Sequence, residues 1–301
     1  MRVVDPVTVD VRTDDHPTGA LGFRYLAQGR DGTPENFVML VAENLGRFEM
    51  VRHRHNFDQF RFAIAGDMTM GDGRLLREGH LGYFPEGTSY GPQEDDAGPV
   101  CFVLQFGGAS GYGYMSPEQY RAGRDSLKRT GHFEGPVYIR DPADGRAKKT
   151  FSINAIWEES MGSRMLIPAP RYDAPIFMNP RAFRWRPMRG NPKVFRKLLG
   201  TFSEREVSAE MYLLQPGGGL EVDAGQAIKL LFVVDGSGAA GNDKLTRHCG
   251  VQIEPDESTA LVAKDRLTIL AFTLPLIDHA AKEPEIDSFE PVPGEAVPEA
   301  V

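Results

Sequence analysis

Cysteine is almost absent from this chain: Cys101 and Cys249 are the only two in 301 residues, far apart and each in an apolar setting. A disulfide framework and a cysteine-rich metal site are thereby excluded, and two buried free thiols are expected. Long apolar runs are missing as well. No stretch of roughly 18 apolar residues occurs, and the opening thirty residues are charged throughout, so neither a membrane-crossing helix nor a secretory signal is expected. The expectation is a soluble, cytoplasmic protein with no membrane partner.

Basic excess is the third absence. The formal net charge is −8, and residues 282–301 hold six acids against the single base Lys282. The rest of the chain is close to neutral and offers no global field to draw in nucleic acid. One segment, Arg181 to Lys197, carries seven bases interleaved with Phe183, Trp185 and Phe195. It is broken by Pro187 and Pro192, and arginine stems commonly cover apolar surface, so no nucleic-acid partner is expected. The acidic, proline-rich tail has too few apolar residues to fold and is expected to be disordered.

What the chain does have is turn chemistry. Its 33 glycines and 22 prolines fall at intervals between short β-like runs such as "NFVMLVAEN", "QFRFAIAGDMTMG" and "VCFVLQFGG", which predicts an all-β protein of sandwich or barrel type. One helix interrupts the pattern. Ser116 suits its N-cap, Pro117 its first position, Glu118 its first turn, and Gly131 its end. A second β-rich block begins near Thr201, with a Pro-rich connection between. The division expected is therefore residues 1–133 as a first barrel with trailing helix, 134–200 as connection, 201–281 as a second barrel, and 282–301 as tail.

The chemistry concentrates in "RHRHNFDQFRFAIAGD". His53 and His55, at the start of a strand, project together, and Gln59 and Arg61 follow on the same interior. Phe60, Phe62 and Ile64 face the other way, towards a second sheet or subunit. Further on, "GHLGYFPEGTSYG" brings Tyr90 three residues past Gly87. Arg61 needs an anionic partner, supplied either by a substrate or by an acid at the barrel mouth. Tyr83, Phe84, Phe102, Leu104 and Phe106 read as an apolar wall.

These two stretches resemble the motifs of the cupin superfamily. His53, His55, Gln59 and Gly66 match the first motif in spacing, with Gln in place of Glu. Gly79, Pro85 and Gly87 match the second, with Tyr90 at its histidine position. The resemblance implies two double-stranded β-helix (jelly-roll) barrels, a bicupin, with a metal site at His53, His55, Gln59 and Tyr90. It also implies a divalent transition metal, Fe(II) first, otherwise Mn, Ni, Zn or Cu. By the same analogy the activity expected is a dioxygenase acting on a small aromatic or organic acid, with Arg61 as anchor and Tyr90 as ligand or acid–base group. A metal-dependent isomerase, lyase or hydrolase, and a metal-free ligand-binding cupin, are the alternatives. The partners expected are a small anionic substrate and a second copy of the chain. After "PGGG" the second block has Leu220, Glu221, Val222 and Asp223 where a His pair would stand, and His248 matches no ligand position, so that half is expected to be metal-free.

Overall fold

The structure is a computed structural model and describes residues 1–13, 21–111, 114–135, 137–141 and 149–276. The acidic tail lies outside the described residues, and so does any test of its expected disorder. The architecture is all-β, with two barrels of the cupin type and two α-helices among the described residues.

Each barrel is built on one large antiparallel sheet. The first has six strands, in the order Ile176–Met178, Leu81–Phe84, Phe57–Ala65, Val100–Gly107, Phe37–Asn44, Leu21–Gln28. The second has seven: Arg2–Val4, Gly250–Ile253, Lys229–Asp235, Leu267–Thr273, Ser208–Leu214, Asn191–Thr201, Arg186–Met188. Two edge strands are exchanged. Arg2–Val4, from the amino terminus, pairs with Gly250–Ile253 in the second sheet, whereas Ile176–Met178, from the connection, pairs with Leu81–Phe84 in the first. The second sheet also starts earlier than the expected boundary at residue 201, because Arg186–Met188 and Asn191–Thr201 already belong to it.

Strand alternation gives each large sheet two apolar faces, a pattern that requires cover on both sides. The back faces cover one another. Phe60 lies tilted against Phe272 (ring centroids 4.9 Å), and Phe102 lies 4.4 Å from Phe232 and 5.3 Å from Phe272. All four rings are fully buried, and each contributes roughly 1.5–3 kcal/mol through removal of its surface from water. The second sheet expected behind Phe60 and Phe62 is thus the chain's own.

The front faces line the barrels. The first barrel is closed by two small antiparallel pairs, Phe48–Met50 with Gln93–Asp95 and the hairpin of Met68–Thr69 with Leu75–Leu76. The second is closed by a four-stranded sheet built from Gly219–Asp223, Ser258–Ala263, Gly238–Ala240 and Asp243–Leu245. Its interior is packed with aliphatic side chains. Leu220 and Val222 point inward while Glu221 and Asp223 are exposed, so the stretch without a His pair is ordinary core. Both cysteines are free and buried.

The expected helix runs Pro117–Leu127, with Ser116 accepting from the Gln119 backbone N–H in a reciprocal capping box. It packs on a second helix, Ser152–Met161, through Leu127, Ala155 and Ile156.

Candidate functional site

The two motifs meet at the mouth of the first barrel through their backbones. His53 and Tyr90 exchange N–H to carbonyl hydrogen bonds of 3.0 Å in both directions, and the Gly87 N–H donates to the His55 carbonyl at 2.8 Å. His53 and His55 therefore lie in the loop before the strand Phe57–Ala65 and not on it. The bridge to Tyr90, not strand alternation, turns their rings together. Gly87 is needed where it stands. Its φ is +77°, and an added Cβ would meet the Pro168 carbonyl oxygen at 2.3 Å.

The rings of His53 and His55 lie 4.9 Å apart edge to face, and the His53 ring is 4.4 Å from that of Tyr90. His55 is stacked on Phe57 at 4.3 Å. His53 Nδ1 donates to the Val51 carbonyl at 2.7 Å, which leaves Nε2 unprotonated in the neutral ring. Both imidazoles are held neutral. Burial lowers the His53 pKa to about 4 against the opposing hydrogen bond to Val51, and burial followed by the charge of His53 takes that of His55 well below its ordinary value.

Tyr90, 3% exposed, carries the densest polar contact. Its hydroxyl oxygen accepts from Gln59 Nε2 at 2.6 Å and from Arg61 Nη2 at 3.0 Å. Two donors fill both lone pairs, so the hydroxyl proton is directed to His55 Nε2, 3.1 Å away. Burial raises the Tyr90 pKa, with Arg61 and Gln59 opposing.

Gln59, expected as an oxygen ligand, is turned the other way. Arg61 Nε donates to Gln59 Oε1 at 3.0 Å, and a guanidinium has no acceptor, so the amide must present nitrogen to Tyr90. The carbonyl oxygen is spent on Arg61. The structure thus brings His53, His55, Gln59, Tyr90 and Arg61 into one cluster, but withdraws the Gln59 oxygen from the set of inward-facing donors.

Arg61 does face the interior. Its third bond runs from Nη1 to Gln93 Oε1 at 3.3 Å, and its guanidinium lies 5.0 Å from the Phe84 ring centroid and 5.3 Å from that of Tyr90. All three hydrogen-bond acceptors are neutral, and among the described residues Arg61 forms no ion pair with an acid. No acid at the barrel mouth pairs with Arg61 among the described residues.

Of the expected apolar wall, Phe84 alone lies inside the barrel, against Tyr90 at 4.8 Å. Tyr83, Phe102, Leu104 and Phe106 belong to the core between the sheets, since they share the parity of Phe60 and Phe62. Sequence reasoning did not single out Gln93, the residue that completes the Arg61 cradle. Its only signal is alternation on a strand of three residues. Among the described residues no group of three His, Cys, Asp or Glu is gathered in a metal-holding arrangement.

No family model matches the sequence, and no curated protein matches it. Solved structures do. A candidate dioxygenase from Nostoc punctiforme is 11% identical at a TM-score of 0.59, with 92% of this chain and 83% of that one covered. Streptomyces albus HEPD, with 2-hydroxyethylphosphonate and Fe(II) bound, is 11% identical at 0.56, covering 91% and 76%. Lactobacillus farciminis oxalate decarboxylase, as its formate complex, is 13% identical at 0.53, covering 91% and 86%. The chain shares with these structures an all-β fold of the cupin type.

Proposed function

We propose that the first barrel is the working half of a metal-dependent cupin enzyme whose substrate is a small organic anion, and that the second barrel is structural. The observation that carries this reading is Arg61, a guanidinium inside the barrel with only neutral partners. A half-buried cation without a counter-charge is costly, and a carboxylate or phosphonate accepts from its fork with charge-assisted bonds. Two of the similar structures hold anions, formate and a phosphonate, which supports the reading.

The donor set fits a divalent ion in three of the four expected positions. His53 and His55 offer neutral imidazoles, one of them fixed at Nδ1 by a backbone carbonyl as metal-bound histidines commonly are. Tyr90 offers its oxygen once the proton shared with His55 is lost, and the N–H groups of Gln59 and Arg61 already point at that oxygen and favour its charge. Gln59 acts as support and not as ligand. An ion held there supplies a Lewis acid and, if it is Fe(II), one-electron chemistry with dioxygen. Arg61 binds the acid group of the substrate, and Phe57 and Phe84 flank it with apolar surface. The finer reading is a dioxygenase of a small aromatic or organic acid.

A second reading keeps the anion and omits the metal. It is favoured by the Gln59 amide, which turns nitrogen inward, and there Tyr90 exchanges its hydroxyl proton with His55 Nε2. Elemental analysis of protein purified without chelator decides between them. About one equivalent of metal per chain, lost in His53→Ala, is expected; a chain that stays metal-free after anaerobic Fe(II) loading removes the first reading. Oxygen uptake with a panel of phenolic acids then separates a dioxygenase from an isomerase, lyase or hydrolase.

A further inference from the structure

The turn that carries Gly87 is held from outside its own barrel. Glu86, its fully buried neighbour, donates its backbone N–H to Asp58 Oδ1 at 2.7 Å, which ties the turn to the strand of Gln59 and Arg61. The Glu86 carboxylate accepts from the Ser110 N–H at 2.9 Å, from the Ser110 hydroxyl at 2.5 Å and from Arg171 Nη1 at 2.5 Å. Gly108 leaves room for it, since an added Cβ would meet Glu86 Oε2 at 2.2 Å. The next residue, Gly87, bonds the His55 carbonyl, and Tyr90 bridges to His53 three positions on.

Arg171 belongs to the connection, and its other edge grips the second barrel. Its Nε and Nη2 donate to Glu204 Oε2 and Oε1, both at 2.9 Å, a forked contact with a fixed direction. Glu204 stands in the turn between Asn191–Thr201 and Ser208–Leu214. That turn also holds the surroundings of Glu86. The Phe202 carbonyl accepts from the Tyr172 hydroxyl at 2.7 Å, the Tyr172 carbonyl from Thr88 Oγ1 at 2.9 Å, and Arg205 Nε donates to the Ala109 carbonyl at 2.9 Å.

A contiguous run of direct bonds thus leads from an acid of the second barrel, through Arg171 and Glu86, to the residue that bonds His55, and such runs carry coupling between distant parts of a fold. Adhesion alone does not call for it. The aromatic faces between the large sheets already join the barrels, and a buried ion pair adds little net stability over apolar packing. What the pair adds is direction, because a buried carboxylate keeps its place only while its cation does.

We infer that Arg171 is a positioning residue for the cluster at the barrel mouth, and that the second barrel acts on the site through it by holding the turn at 85–88 that sets His55 and Tyr90. This rests on the reading of that cluster as the working site.

The test is amide hydrogen exchange of the full chain, followed residue by residue by NMR, with titration of valerate as a simple carboxylate probe. Arg171→Met is expected to speed exchange of the Gly87 and Tyr90 amides about tenfold, while the Ala63 and Val233 amides, bonded within the first and second barrels, stay within about twofold of the parent. Arg171→Lys, which keeps a cation for Glu86 without the fork, is expected to restore part of the protection. Glu204→Gln, an exposed change in the second barrel, is expected to speed the same two amides about threefold. Valerate is expected to bind Arg171→Met and Glu204→Gln more weakly than the parent. A rise shared by all four amides is the mark of a merely structural ion pair and overturns the inference. Unchanged exchange at Gly87 and Tyr90 in Glu204→Gln does so even if Arg171→Met fails to fold, and so does valerate affinity that is equal in parent and variants. Failure of the parent to bind valerate at all removes the reading of the site instead, and the exchange rates then decide the hold on the turn by themselves.

Discussion

Arg61 Nε donates to Gln59 Oε1 across the two-residue repeat of a single strand, at 3.0 Å, and this bond decides what the site presents to a ligand. It fixes the amide, the amide nitrogen fixes the Tyr90 oxygen, and the Tyr90 proton fixes the tautomer of His55. Gln59→Glu tests that chain of causes. A carboxylate beside Arg61 supplies the anion the barrel otherwise lacks, so affinity for valerate is expected to fall about tenfold, or roughly 1.4 kcal/mol. Unchanged affinity by calorimetry would show that Arg61 is not where the acid binds.

Tyr90→Phe removes one oxygen and strands three partners. Gln59 Nε2 and Arg61 Nη2 lose their acceptor and His55 Nε2 its donor, all inside the barrel mouth, and a buried group left unmet costs about 1–3 kcal/mol. Urea unfolding is expected to show a loss in that range, with metal content falling in parallel. A variant as stable as the parent would mean that water replaces the hydroxyl and that the mouth is wetter than its burial implies.

The cluster was legible in the sequence because motif spacing survives substitution. Gly66, Gly79 and Gly87 hold positive φ, and these turns place positions 53, 55 and 90 whichever side chain stands there. The His pair is nevertheless turned inward by a loop bridge to Tyr90 and not by strand alternation. Other features could not be read. Arg2–Val4 pairs with a strand nearly 250 residues away, and nothing local in a three-residue run encodes its partner. Asp95 looks like any acid in the run "QEDDAG" until the pairing of Phe48–Met50 with Gln93–Asp95 turns it inward.

The apolar wall shows the same limit, and two variants separate its members. Phe102 packs between the sheets and Phe84 packs on Arg61 and Tyr90. Phe102→Ala is expected to cost about 3–5 kcal/mol of stability and leave valerate affinity within twofold. Phe84→Ala, by removing the ring beneath the guanidinium, is expected to weaken valerate binding severalfold. Reversal of the two effects on binding would place the ligand on the wrong side of the sheet for this account.

The strand that carries Gln59 and Arg61 also carries Asp58, fully buried and on the opposite face. Its Oδ2 accepts from the Tyr83 hydroxyl and its Oδ1 from the Glu86 backbone N–H, both at 2.7 Å. The Glu86 carboxylate lies close by, clamped by Arg171 and Ser110. Burial, followed by the charge of Glu86, pushes the Asp58 carboxyl up to about 7 from its ordinary 3.8. The folded chain therefore keeps a proton that the unfolded chain loses between about pH 4 and pH 7, so the stability this group contributes is full at the acid end and is lost as pH rises through 7. Asp58→Asn is neutral at every pH and lacks the effect. The stability of the parent relative to Asp58→Asn, from urea unfolding at several pH values, is expected to decline across that interval by about 1 kcal/mol per pH unit and to level off above it. A difference that is flat, or that grows with pH, would mean that Asp58 is already ionised in the folded chain, and that Arg171 and the Tyr83 hydroxyl outweigh both burial and the neighbouring Glu86.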